Sequence, residues 1–128
     1  MGAIAGPNLI VLMLTAMEHD LTMRVNAKMD SRMKLSMQSI FLATKKSDAY
    51  AALSSIDCEK QAGKYKQAEA KIRELEAQEQ KLAAYDKQLE MQLTKLQNEL
   101  KQTTARKDAA QKMLDQNIQG AYNYGQGR

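Results

Sequence analysis

Proline and glycine are almost missing from the interior of this 128-residue chain. Pro7 is the single proline, and five of the six glycines stand at or near the two ends. That scarcity excludes the closely spaced turns a sheet-rich fold needs. Aromatic residues are also few, at 5%, with no tryptophan and one phenylalanine, Phe41. A compact globule anchors its core on several large rings, so the apolar content is better suited to long paired helices. One cysteine, Cys58, excludes an internal disulfide and any multi-cysteine zinc site, leaving a plain free thiol. The longest apolar run, Leu9 to Leu14, falls far short of the ~20 residues that span a bilayer. Residues 1 to 8 hold no Lys or Arg to open a signal peptide, and Gly6 stands where a myristoylation start wants Ser or Thr.

Catalytic groups are equally thin. His19 is the only histidine, and its neighbours Glu18 and Asp20 point to other faces of a helix, so no ligand set at i, i+3 or i+4 forms around it. The chain has no Gly-rich phosphate loop, no Ser-His-Asp set and no paired cysteines. These absences predict a protein that is not an enzyme and takes no cofactor or metal. The net charge of +4 is spread along the chain without a basic arm or patch, which argues against a nucleic-acid partner.

What is abundant is helix-forming: Ala, Leu, Met, Lys, Gln and Glu lose little rotamer freedom in a helix. The expected fold is all-α, with two long helices in an elongated helical hairpin or coiled coil. Residues 1–8 read as a flexible leader, 9–118 as a single hairpin domain and 119–128 as a Gly- and Tyr-containing tail. Within the hairpin a first helix covers 9 to about 53, a turn lies near 54–57, and a second helix covers about 58–118. Ser54, Ser55 and Asp57 are good N-cap types for that turn, and a turn nearer Ser47 and Asp48 is the alternative.

The first helix carries an apolar ridge at intervals of four: Met13, Met17, Leu21, Val25, Met29, Met33, Met37 and Phe41. Each step of four advances ~400°, so the ridge drifts ~40° per step around the helix. A drifting ridge suits different neighbours at different heights, and methionine adapts to irregular partners. The ridge is the candidate subunit interface. Ile10, Leu14, Met17 and Leu21 also follow the three-four spacing of one side of an ordinary hairpin, so plain core packing stands beside that reading.

The second helix is more regular. With Tyr65 as position a, its heptads place Ile72, Leu93, Leu100 and Leu114 at a, and Leu75, Leu82, Leu89 and Leu96 at consecutive d sites. This is a coiled-coil seam. Glu79, Asp86 and Lys107 interrupt it at a positions, where a buried charge without a partner is costly. They are expected to set register, either exposed or facing a cation such as Arg24, Lys28, Arg32 or Lys34. Glu69, Glu74, Glu76 and Glu79, interleaved with Lys71, Arg73 and Lys81, read as a solvated helix face.

The stretch Ile10 to Met29, with its Met and Leu spacing, and the stretch Leu93 to Ile118, with its short Gly- and Tyr-containing sequel, are the residues that carry a family likeness. In this pattern the chain resembles the EspA-type secreted filament proteins of bacterial type III secretion systems, although it lacks the bulky segment that separates their helices. The resemblance implies a structural subunit that polymerises into a filament or tube. Its partners would be copies of itself and other secretion or assembly proteins, and it would be secreted or cell-surface by a signal-peptide-independent route. The competing reading is a cytoplasmic coiled-coil dimer, an adaptor or chaperone that binds partner helices.

Overall fold

A computed structural model describes the backbone of residues 2–126 and the side chains of residue 6 and residues 8–120. It is an all-α helical hairpin: α1 runs Gly2–Ser54 and α2 runs Ala62–Gln126. Residues 2–8, expected as a leader, lie inside α1. Gly120, expected to end the second helix, lies inside α2. One glycine costs a helix only about 1 kcal/mol, and the flanking residues 113–118 are good or tolerable helix formers. The tail expected at 119–128 is therefore helical as far as Gln126, while Tyr122 and Tyr124 lie outside the residues whose side chains are described.

The turn is longer than the sequence suggests, and its serines do a different job. At the end of α1 the backbone tightens into i to i−3 bonds, Ser55 N to Ala52 O at 3.2 Å and Ile56 N to Leu53 O at 3.1 Å. The hydroxyls of Ser54 and Ser55 donate to the carbonyls of Ala51 and Ala52, in the last turn of α1, where backbone carbonyls run short of intrahelical donors. They close α1 instead of opening α2. Asp57 holds the turn ahead of α2: its carboxylate accepts from the backbone N–H of Glu59 and Lys60, at 3.0 and 3.4 Å. Its carbonyl then accepts from Gln61, and the Gln61 carbonyl accepts from Tyr65 as α2 begins. A serine hydroxyl can serve either helix end, which is why composition alone misplaced the boundary.

Where one hairpin domain is expected, the chain clusters into two units, each containing part of both helices: residues 28–92, and residues 1–27 together with 93–128. In the first, Leu42 on α1 and Ile72 and Leu75 on α2 are buried. In the second, Leu14, Leu21 and Val25 on α1 are buried, as are Leu93, Thr103, Ala110 and Leu114 on α2. Among the described residues no side chain is completely shielded. Each such burial contributes at most the ~1.5–3 kcal/mol of a fully covered aliphatic group.

Candidate assembly surface

Among the described residues, the buried and half-buried positions of α1 are Val11, Leu14, Glu18, Leu21, Val25, Lys28, Arg32, Leu35, Leu42, Lys46, Ala49 and Leu53. Their spacing alternates three and four, broken only where exposed Ser39 falls on the stripe. This is a heptad seam as regular as that of α2. Charged residues occupy several of its sites, and they hid it from the sequence reading.

On α2 the seam residues lie on one side. Ile72, Leu75, Leu93 and Leu114 are buried; Leu82, Leu89, Leu96 and Leu100 are half-buried. The three polar a positions, also half-buried, all meet opposite charge at a seam position of α1. In the unit 28–92, the Arg32 guanidinium donates from Nε and Nη2 to the two carboxylate oxygens of Asp86, at 2.9 and 3.2 Å. Lys46 Nζ lies 3.2 Å from Glu79 Oε1 and 3.8 Å from Glu76. Glu79 Oε1 has no well-directed hydrogen bond, so the Lys46–Glu79 contact is best described as an ion pair held by charge alone. The Tyr50 hydroxyl donates to Glu76 at 2.9 Å. In the other unit, Glu18 accepts from Lys107 Nζ at 3.1 Å and from the Thr104 hydroxyl at 2.8 Å.

Among the cations expected to face Glu79 and Asp86, only Arg32 does so. Lys46 fills the other place, Arg24 pairs with Asp20 on its own helix at 3.1 Å, and Glu18 supplies the anion for Lys107. Glu76 and Glu79, expected on a solvated face, turn toward α1. The order along α1, acid then base then base, meets base, acid, acid only when α2 runs back antiparallel in this register. These pairs are partly solvated, so their value lies in selecting that alignment more than in stability. Exchanging one pair, Lys46→Glu with Glu79→Lys, is expected to restore most of the thermal midpoint that either change alone lowers. A double-mutant cycle with no coupling would show that the pair does not set register.

The same contacts give a pH dependence. The hydrogen bonds from Thr104 and Lys107 hold the Glu18 carboxyl below its ordinary 4.5, and those from Arg32 hold Asp86 below its ordinary 3.8. Both groups therefore contribute stability that is present above these values and is lost as pH falls through them and below. The bond to Glu76 raises Tyr50 above 10.0, and Glu79 raises Lys46 above 10.5. Their contribution is present below those values and is lost as pH rises past them. The urea midpoint is expected to be flat between about pH 5 and pH 9 and to fall on both sides. A midpoint still rising below pH 4 would contradict the assignment of Glu18 and Asp86.

The proposed methionine ridge is divided by its own drift. Leu21 and Val25 are buried in the seam, whereas Met13, Met17, Met29, Met33, Met37 and Phe41 are exposed. The ridge is therefore not one surface. Part of the exposed apolar surface of α1 instead forms an outer stripe in each unit, while Met29 and Met33 also border a groove shared with Glu79, Leu82 and Asp86 of α2. In the unit 28–92 the stripe consists of Met33, Met37, Ile40 and Phe41, each 59–65% exposed, at the i, i+4, i+7, i+8 spacing of one helix face. Lys45 Nζ sits over the Phe41 ring, 4.6 Å from its centre. In the other unit Leu9, Leu12 and Met13 form the corresponding stripe, 58–59% exposed. Ile40, Leu9 and Leu12 were outside the expected interface set; the signal that finds them is the second three-four pattern in α1.

Nearer the seam of the second unit, Ile10, Leu14, Ala109, Ala110, Met113 and Arg106 line a groove of about 390 Å³. Exposed Cys58 stands apart in the turn, and His19 is exposed. Among the described residues no three His, Cys, Asp or Glu side chains converge as a metal site, and no helix is long and apolar enough to cross a membrane. No family model, curated protein or solved structure matches the chain.

Proposed function

We propose that this protein is a structural subunit that self-assembles, through the outward apolar face of α1, into a filament or tube. The observation that carries the reading is the pairing of a satisfied seam with an unsatisfied outer face. The charged seam positions Glu79, Asp86 and Lys107 already have partners on α1 of the same chain. The hairpin needs no second chain to complete it. Met33, Met37, Ile40 and Phe41, by contrast, place large apolar side chains in water on a helix whose other side is already packed. Contiguous exposed apolar groups of this kind mark interaction surfaces. Two such stripes, one in each unit, give a subunit two places to bind, which is the minimum for an open polymer. Secretion by a signal-peptide-independent route belongs to the same proposal through the likeness to secreted filament proteins.

The test is negative-stain microscopy and light scattering of the purified protein over rising concentration. Elongated particles are expected. A monomer that persists at high concentration would overturn the reading. If that monomer bound added amphipathic helices, the adaptor reading would take its place; the methionines at 29, 33 and 37 would then supply an adaptable contact face.

A further inference from the structure

We infer that the Met33–Phe41 stripe recognises the same stripe on a second copy of this chain, antiparallel, about a two-fold axis passing by Met37. The inference rests on the reading that the outer face of α1 mediates self-assembly, and it names the partner surface and its direction.

Charge and register favour this pairing. Asp30, Lys34 and Lys45 are exposed residues of α1 beside the stripe. In a helix each residue advances ~100°, which places Asp30 between Met33 and Phe41 around the axis, with Lys34 and Lys45 on the flank beyond Phe41. If two copies paired parallel and in register, Asp30, which lies close to the line of Met37, would meet Asp30, whereas Lys34 and Lys45 would fall on opposite edges of the pair. Like charges facing one another across a helix contact are destabilising. Antiparallel pairing centred on Met37 removes the Asp30 clash. Met37 then meets Met37, Met33 meets Phe41, and Asp30, on the line of the stripe, comes within one residue of the level of Lys45, which stands on the edge beside it. Because the axis is two-fold, the Asp30–Lys45 pair forms twice. Lys45 already leans over the Phe41 ring, so its ammonium stands at the edge of the apolar contact where an incoming carboxylate would meet it. Lys34 comes level with Ile40 and Phe41 of the second copy, over which its methylene stem can lie.

An interface of this kind is isologous: the same patch serves both subunits. Its centre carries methionine facing methionine, two flexible side chains that fit each other without demanding one rotamer.

The single native cysteine makes a direct test simple. In a Cys58→Ser background, Met37→Cys places a thiol beside the proposed axis, where helix packing brings equivalent side chains within disulfide reach. With a mild copper oxidant, the Met37→Cys chain is expected to cross-link to itself about ten-fold faster than a control with Lys66→Cys, an exposed site on α2. Met33→Cys is expected to cross-link poorly to itself and well when mixed with Phe41→Cys. Asp30→Lys and Lys45→Asp should each slow the Met37→Cys reaction, and combining them should restore it. Equal rates at 37 and 66, or self-linking at 33 as fast as at 37, would overturn the antiparallel pairing. Filaments without the 37–37 cross-link would remove this inference and leave assembly standing. Cross-linked dimers without filaments would remove the polymer and leave the pairing.

Discussion

Replacing Ile72 by aspartate is expected to unfold the hairpin, or to leave it so marginal that a small amount of urea completes the transition. Ile72 is the most shielded apolar side chain described, at 5% exposure. It lies in the seam of α2 between Ala68 and Leu75. The change removes the burial of a large aliphatic group and puts a carboxylate in its place; cavity-forming truncations alone cost about 2–5 kcal/mol, and the polar group adds to that. Local electrostatics makes matters worse. Glu69 stands three residues before the new acid and Glu76 four after it, the two spacings at which like charges on a helix repel. Small domains hold about 5–15 kcal/mol in total, and a hairpin with no fully shielded side chain among its described residues belongs at the low end of that range. Ile72→Val keeps the shape and most of the area and is expected to cost about 1 kcal/mol. Helical circular dichroism followed through a urea titration reads both. A midpoint for Ile72→Asp within the error of Ile72→Val would show that the seam does not hold the two helices together.

That seam was open to reading on α2 and closed on α1, and the reason is chemical. Along α2 leucine occupies four consecutive d sites, and the intervening a positions keep enough Ile and Leu for the period to show through three charges. Along α1 the same period is carried by Glu18, Lys28, Arg32 and Lys46 as much as by Leu14, Leu21 and Leu42. A search for apolar repeats passes over salt-bridged core positions, because only the partner helix reveals that Glu18 belongs opposite Lys107 and Lys46 opposite Glu79. Meanwhile the outward methionines supplied a second apolar pattern. Merged with the true core at Leu21 and Val25, they gave the appearance of one winding ridge. Two apolar faces on opposite sides of a helix cancel in any measure of one-sidedness, so α1 looks featureless until the faces are separated.

The turn shows a related limit. Ser54, Ser55 and Asp57 were rightly associated with a helix boundary, but side-chain oxygens cap either end, and which end is decided by backbone geometry over a few residues. The assembly surface was legible to the extent that exposed Met, Ile and Phe recur at helical spacing. Its limits were not, since nothing in the sequence of α1 alone says which of its two faces α2 will cover.

The outer face gives the sharpest separation between folding and assembly. Changing Met37 and Phe41 together to aspartate is expected to leave helicity and the urea midpoint of the hairpin almost unchanged while abolishing self-association. Both side chains are largely in water already, at 65% and 59% exposure; the change at 41 removes the Lys45–ring contact but leaves a carboxylate four residues before that lysine, and surface replacements of this kind move stability by only about 0.5 kcal/mol. In an assembly the same two side chains would be covered, each contributing on the order of 1.5–3 kcal/mol. Removing both, and placing carboxylates where apolar groups meet, corresponds to at least a hundred-fold rise in the concentration needed to associate, at about 1.4 kcal/mol per factor of ten. Met91→Asp is the matched control. Met91 is 69% exposed, more so than either, but stands on the polar outer side of α2; its replacement should change neither property. Sedimentation and scattering of the three proteins at equal concentration decide the matter. If Met91→Asp disrupted assembly as strongly as the double change, the contact would belong to α2. If the double change left assembly intact, the outer face of α1 would have no part in it, and the stripe would be no more than apolar surface on a monomer.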